Sequence, residues 1–457
     1  MTLKLTCFLT ATFMVAGCVG PRGAKRPVPC SLGRDIQAFH ASSEDADKAV
    51  SVDTIESQDT ITLRDALTLA LMKNPELAAF SHNMRAAEAR ILQARLLPNP
   101  EIAVEVAEFD RGGEGFDAAE SSVVLGQMIE LGRKRHRRVC VAEAESELAG
   151  WDYESKRLDV LTKTARQFTE VIAAQQHREL ANSAVALAEQ TSRAVSERVD
   201  AGKEPPVQAT KGIAELEMVR LDALQAENRL LIARKKLAAM WGAEQPHFQN
   251  VVGEFDNVID ALPSMKMLRL RLSSNPDLAR GNAELKLRRA ALASEKAARL
   301  PDLTATAGVQ QFEEDGSEAL AFGIGFPLPL FDRNQGNIAA AKHELAKARA
   351  EQKAVETGLA TELAETHARL ESARKRVLTL RSKIVPAMEE AFDAAGKGYA
   401  QGKFGFLDVL DAQRGLFDAK GNLLNALLDY HIALSDIQKI TGTSIEELLK
   451  QEGGKTK

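Results

Sequence analysis

Two apolar spacings alternate along this chain, and the alternation happens twice. From Leu63 the apolar residues Ala66, Leu67, Ala70 and Leu71 recur at helical intervals, and Thr62 with Asp65 three positions later forms a capping-box start. Asn74-Pro75 opens a second helix, with Asn as the N-cap and Pro at a position that needs no N–H, and this helix runs to about Leu97. Pro98 and Pro100 end it. The period then drops to two: Ile102, Val104 and Val106 alternate with Glu101, Ala103, Glu105 and Ala107, and after a turn-rich stretch from Asp110 to Asp117 come Val123, Leu125 and Ile129. A hairpin is predicted. Leu303, Ala305, Ala307 and Val309, a turn at Glu314-Asp315-Gly316-Ser317, and Phe322, Ile324 and Phe326 alternating with Gly323 and Gly325 predict another.

Each hairpin leads into a long helix. Arg133 to about Asp200 contains no proline and Gln335 to Gln401 only Pro386, so each tract makes about 100 Å of helix at the usual rise. Each stops at a glycine, Gly202 or Gly402, suited to the left-handed residue that ends a helix, and a return helix follows to Trp241 or Thr441. Alanines such as Ala165, Ala173, Ala181 and Ala188 let such helices pack side by side rather than around a globular core. The landmarks match across the chain at an offset of about 200 residues: Asn74-Pro75-Glu76-Leu77-Ala78 with Asn275-Pro276-Asp277-Leu278-Ala279, Arg133 with Arg333, Gly202-Lys203 with Gly402-Lys403, and Gly242 with Gly442. A block of helix, two strands and two helices has been duplicated. Residues 60–257 and 258–450 form the two halves, and 451–457 a short tail.

Ahead of the halves, residues 1–17 carry Lys4 and an apolar run from Leu5 to Ala16 too short to span a bilayer as a helix, and read as a signal peptide. Val15-Ala16-Gly17-Cys18 resembles the bacterial lipobox, in which the cysteine after small residues is lipidated and becomes the mature N-terminus. Val19, where inner-membrane lipoproteins of some bacteria carry Asp, favours outer-membrane sorting; the alternative is ordinary cleavage beside an incidental thiol. Residues 18–59, with Pro21, Pro27, Pro29 and a polar, acidic tract, are expected to be a mobile tether. Cys30 falls in that leader and Cys140 in a helix, so no disulfide is expected between them.

Composition narrows the classes. With 45% hydrophobic and 27% charged residues the chain can bury a core, and its Ala/Glu/Lys/Arg-rich tracts suit long packed helices rather than a compact α/β enzyme. A formal net charge of -5 gives no electrostatic case for nucleic acid. There is no Gly-x-Ser-x-Gly, no phosphate loop and no spaced metal triad, so neither enzyme activity nor a cofactor nor a metal site is expected. After the leader no run reaches the roughly 18 apolar residues of a membrane helix, so a membrane crossing would have to use strands. The four predicted strands have the length that crosses a bilayer when tilted, yet a barrel needs at least about eight. Several copies must therefore share one barrel. Three copies give twelve strands; two or four stay open on this argument.

Taken together, the two Asn-Pro-acid-Leu-Ala helix starts, Glu130-Leu131-Gly132-Arg133-Lys134-Arg135, Phe326-Pro327-Leu328-Pro329-Leu330-Phe331-Asp332-Arg333-Asn334-Gln335-Gly336, and Gly402 with Leu407-Asp408-Val409-Leu410-Asp411-Ala412 are similar to TolC-type outer-membrane efflux factors. Within them the chain resembles the heavy-metal branch, the CzcC-like proteins, over residues 60 to 445. The resemblance implies an α+β TolC-like fold: a homotrimer sharing a twelve-stranded barrel in outer-membrane lipid, above a helical barrel that reaches a periplasmic adaptor and an inner-membrane RND pump. It implies adaptor-contact tips at Gly202 and Gly402, and a periplasmic gate at Tyr399, Asp408 and Asp411. Two positions depart from the TolC pattern: Phe404 stands at the latch arginine and Gln208 at its partner acid, so those ion-pair latches are not expected.

Rival readings remain for several sites. The basic run Arg133, Lys134, Arg135, Arg137, Arg138 follows a strand and is expected at the bilayer surface or pore mouth, the alternative being a solvated first helical turn. Asp408 and Asp411 share a helix face, and acids at a helix start also have a purely local role. His136 and Cys140, four apart, are read as unrelated helix residues because two ligands make a poor metal site. For the whole chain the alternative is a periplasmic coiled-coil lipoprotein scaffold or adaptor without a pore.

Overall fold

A computed structural model describes residues 27–28, 30–41, 59–107, 120–312, 316–445, 447 and 449. The signal peptide, Cys18, both hairpin turns except Gly316-Ser317, and the tail lie outside the described residues. In chain order the elements are β1 (Thr60–Thr62), α1 (Leu63–Lys73), α2 (Pro75–Ala94), β2 (Glu101–Ala107), β3 (Glu120–Ile129), α3 (Lys134–Asp200), α4 (Pro206–Ala239), β4 (Asn250–Val252), α5 (Met265–Arg271), α6 (Pro276–Ala298), β5 (Leu303–Phe312), β6 (Glu318–Gly325), α7 (Gln335–Thr379), α8 (Val385–Ala400) and α9 (Phe406–Thr441).

Local chemistry sets the boundaries. Thr62 and Asp65 form the reciprocal capping box, and Asn74 and Asn275 accept backbone N–H bonds at the starts of α2 and α6, each followed by proline. The same two asparagines use their side-chain N–H groups on distant carbonyls, Met240 at 2.7 Å and Ile440 at 2.9 Å, which ties each helix start to the end of its own half's return helix. The proline-free tract gives a single helix of 67 residues in the first half. In the second half Pro386 lacks the N–H that would continue the ladder, and a π turn at Leu380–Ile384 separates α7 from α8.

Four strands form one antiparallel sheet in the order β2-β3-β5-β6, so the two predicted hairpins join through β3 and β5. A short parallel pair of β1 and β4, which sequence reasoning missed, joins the two ends of the first half, with Ile61 and Val251 in the main core. The helices follow a matching order: α4 packs on α3, and α9 lies between α3 and the α7–α8 pair. The main core sits at mid-height, where Phe168, Leu230, Leu237, Trp241, Leu370 and Tyr430 from both halves meet.

Two expectations are corrected. The first is the match of Arg133 with Arg333. Arg133 has φ 59° just before α3, and the residue with that backbone just before α7 is Asn334 at φ 57°, so Asn334 is the structural counterpart and Arg333 stands one residue early. Asn tolerates the left-handed conformation because its short side chain bonds locally, here also to Glu295 of α6. The second is the tether. Residues 30–41 are docked: Leu32 N–H donates to Gly442, Phe39 N–H to Leu71, Ala41 N–H to Ser81 Oγ, and the Tyr153 hydroxyl to Phe39 at 2.6 Å. Arg157 and Glu154, both buried, pair at 3.0 Å, and Arg157 also donates to the Leu32 and Gly33 carbonyls. Cys30 is a half-buried free thiol, and burial raises its pKa although Arg157 lies beside it. Cys140 is also free.

Candidate functional site

The sheet has two chemically distinct faces. Strict register puts Ile102, Leu125, Ala307 and Phe322 in one cross-strand row and Val104, Val123, Val309 and Leu320 in the next, all on one side. The other side carries Glu101, Glu105, Ser122, Thr304, Thr306, Gln310 and a run of glycine and alanine on β6, with Gln310 donating to Glu120 at 2.6 Å. Apolar residues on the first face are widely exposed in the isolated chain, Phe322 by 80% and Ile102 by 72%. A monomeric water-soluble sheet would hide such a face; among the described residues this one is largely uncovered. Among the described residues no helix is long and apolar enough to cross a membrane.

Below the sheet, the basic run does something neither reading anticipated. Arg135 donates to the Arg95 carbonyl at 2.7 Å, and Arg138 donates to Ala94 and Leu96, so the two guanidinium groups cap the carbonyl end of α2. Arg138 also holds Glu130 through two bonds, and Lys134 reaches Asp302 of the second half at 2.8 Å. Arg133 is exposed at the junction. On the other side Arg333 bonds only locally, to Gln335 and Leu330. His136 and Cys140 touch at 3.7 Å, and among the described residues no group of three or more metal-binding side chains assembles.

At the far end, Gly202 and Gly402 have φ 70° and 71° and close matching turns, in which Lys203 donates to Arg198 and Lys403 to Gly398. No atom lies within 4 Å of a Cβ built on either glycine, so both tips project freely. The three gate residues are not placed alike. Asp408 and Asp411 are exposed on α9, and Asp408 accepts the Gly405 N–H at 2.8 Å as a helix cap. Tyr399 is 8% exposed, inside the chain, with Arg198 stacked 4.5 Å from its ring and Phe406 beside it. Burial pushes its phenol above the ordinary range. Arg198 also donates to the Tyr399 carbonyl at 3.3 Å, so it joins the first tip to the second. Sequence reasoning missed Arg198; the arginine on the helix turn facing Tyr399 was its only signal. Phe404 folds back over Gly398.

The outer membrane efflux protein family model matches residues 66–243 and 267–443, most of both halves. The chain belongs to this family. It is 34% identical over 402 residues to the cobalt-zinc-cadmium resistance protein CzcC of Cupriavidus metallidurans, covering 88% of this chain and 95% of that protein. To the nickel and cobalt resistance protein CnrC of the same organism it is 26% identical, over 63% of this chain and 67% of the relative. The solved CmeC outer membrane channel of Campylobacter jejuni superposes with a TM-score of 0.73 at 18% identity, covering 90% of this chain and 94% of that one, which establishes a TolC-like fold. The family is one of channels, not enzymes. A pore-less scaffold does not account for this sheet or this membership.

Proposed function

We propose that the protein is the outer-membrane channel of a tripartite efflux system and exports heavy-metal cations. The reading is carried by its near full-length relationship to a cobalt-zinc-cadmium resistance protein. The sheet supports it physically: an apolar face, an opposite face with three glutamates, and two edge strands without partners suit a wall segment of a larger barrel. Three copies then form a homotrimeric, twelve-stranded barrel, with the apolar face on outer-membrane lipid and the acidic, small-residue face on the passage. The helices extend through the periplasm, their tips at Gly202 and Gly402 meeting the adaptor that links the channel to an inner-membrane RND pump. Asp408 and Asp411 rim the periplasmic mouth, and Tyr399 backs them from inside the chain.

Lipidation at Cys18 fits the docked leader. Pro27 lies against Gly150, and α3 rises about 24 Å from Gly150 to Lys134 at the strand junction. The stretch from Cys18 to Pro27 reaches about 30 Å when extended, enough to return an acyl chain to the bilayer.

Removing the protein from its host should raise cell-associated cobalt, zinc and cadmium several-fold under metal challenge; unchanged accumulation of all three overturns the metal assignment. Purified in detergent, it should be oligomeric and conduct ions in planar bilayers, and a non-conducting monomer overturns the channel itself. Cys18→Ala should abolish acyl labelling while the strands still insert.

A further inference from the structure

The segment Phe326-Pro327-Leu328-Pro329-Leu330 leaves the sheet at β6 and is exposed, turning tightly where the Leu330 N–H donates to the Leu328 carbonyl at 2.8 Å; Phe326 lies at the even position that continues the apolar face of Leu320, Phe322 and Ile324. Among the described residues the side chains of Phe326, Leu328 and Leu330 stay 57%, 66% and 63% exposed. Resting on the barrel reading above, we infer that this segment is the joint between copies, lying alongside the start of β2 in the next copy with Phe326 opposite Ile102.

Three observations lead there. First, the open edges are β2 and β6, one from each half, and β2 begins right after Pro98-Asn99-Pro100 as β6 runs into Pro327-Leu328-Pro329. Proline cannot donate to a ladder and is tolerated at sheet edges, so prolines border both edges at the helix-side end, where regular pairing must stop. The helix arc repeats the polarity: α4, with Met218, Leu221, Leu224 and Leu231 exposed, bounds the first half, and α7–α8 bounds the second. One head-to-tail contact, first half against second half, therefore closes both layers as a ring.

Second, the faces must match. Even positions are apolar on both β2 and β6, so the stagger at the joint must be an even number of residues, or every side chain changes face.

Third, a closed barrel ties stagger to tilt. Inside one chain the rows run level, and the row of Ile102 ends at Phe322. Pairing Phe322 with Ile102 of the next copy would give upright strands. With strands about 4.8 Å apart and about 3.4 Å per residue, a twelve-stranded barrel tilted by 35–45° needs a total stagger of about 12 to 17 residues. A third of that falls to each joint, about four to under six, and the only even value is four. Sliding one way puts Ile102 opposite Glu318 and empties most of the joint. Sliding the other way sets Phe326, Ile324 and Phe322 opposite Ile102, Val104 and Val106, and seats Glu105 against Gly323 on the opposite face. The proline-rich segment is thus brought into the joint by the tilt that a barrel requires.

The test is a cysteine walk in the full-length protein with Cys30→Ser and Cys140→Ser. Ile102→Cys is combined in turn with Phe322→Cys, Ile324→Cys, Phe326→Cys and Leu328→Cys, oxidised in membranes, and scored as reducible intersubunit links. The maximum is expected at Phe326→Cys, at least threefold above the others. Since a hydrogen-bonded pair can resist disulfide closure, Ala103→Cys with Gly325→Cys reads the same register on the other face and is expected to link. A maximum at Phe322→Cys or Ile324→Cys overturns the joint, and one at Leu328→Cys overturns the four-residue stagger. No link in either series, with an oligomer that still conducts, leaves the segment to lipid and overturns only this inference. A monomer without conductance removes the channel reading with it.

Discussion

The inner seam and the outer margins of this chain are built from the same kinds of strand and helix and differ only in whether a partner is present. At the seam β3 pairs with β5 over ten residues and α9 is flanked by α3 and α7. At the margins β2 and β6 have open edges, and α4 carries an exposed apolar stripe that α9, with Val409, Leu416, Leu427 and Ile437 buried, does not. In the helical layer the comparison makes the exposed apolar residues of α4 the counterparts of those that α9 buries at the seam, which is the pattern expected of an interface between copies. Only a head-to-tail assembly makes the two equivalent.

The sharpest way to break the comparison is to crowd the seam. A Cβ at Gly308 would lie 2.6 Å from the Val123 carbonyl oxygen and 3.0 Å from the Val124 Cα, both backbone atoms that cannot step aside, whereas a Cβ at Gly325 would meet no atom of the described chain within 4 Å and, in the inferred joint, would face only the small Ala103. Gly308→Val is expected to lower the heat-stable oligomer recovered from outer membranes at least tenfold, and Gly325→Ala to leave it within twofold. Equal recovery would mean that the seam is no tighter than the edge.

A second seam contact is the docked leader. It spans both halves, bonding α1, α2 and α3 in the first and Gly442 and Thr443 in the second. Arg157→Met leaves Glu154 buried without its partner and strips donors from the Leu32 and Gly33 carbonyls, a loss of about 3 kcal/mol or more. The leader should then be cleaved by trypsin at Arg34 at least tenfold faster, and adding Glu154→Gln should restore much of the protection. Unchanged cleavage would show that the remaining bonds hold the leader alone.

How far the chain could be read beforehand follows from where each signal lives. The helix starts at Thr62, Asn74 and Asn275 and the stops at Gly202 and Gly402 are decided within a few residues, so they were legible. The strands were legible because their two faces differ. The leader was not: its bonds go from backbone to Arg157, Tyr153 and Ser81, far along the chain, and impose no period. The partners of the basic run were hidden for the same reason, since Arg135 and Arg138 bond to carbonyls at the end of α2. Matching Arg133 to Arg333 by identity failed because the shared requirement was a left-handed backbone, which Asn334 meets.

The tips give a smaller effect. Gly402 is left-handed but uncrowded, so Gly402→Val costs about 1–3 kcal/mol of local backbone strain without a clash. Metal resistance should fall while the oligomer persists in the outer membrane, since the strained turn is far from both seam and sheet. Full resistance would show that the adaptor end tolerates ordinary backbone.

The smallest structural change concerns Asp408 and Asp411. Both are exposed on α9 just after the second tip, while Tyr399 and Arg198 lock the two tips together behind them. Asp408 caps the Gly405 N–H, and asparagine can still accept that bond, so Asp408→Asn removes the charge and keeps the cap. Combined with Asp411→Asn, it deletes two carboxylates per chain, roughly six from the mouth of the proposed trimer, whose field would favour cations and concentrate multivalent ones. The expected result is a lower cation preference in the reversal potential and weaker block by divalent cations from the periplasmic side, with the oligomer unchanged. Because both carboxylates are exposed to water, the effect should shrink as ionic strength rises. Unaltered selectivity and block at low salt would place both aspartates outside the conduction path, leaving Asp408 only its role as a helix cap.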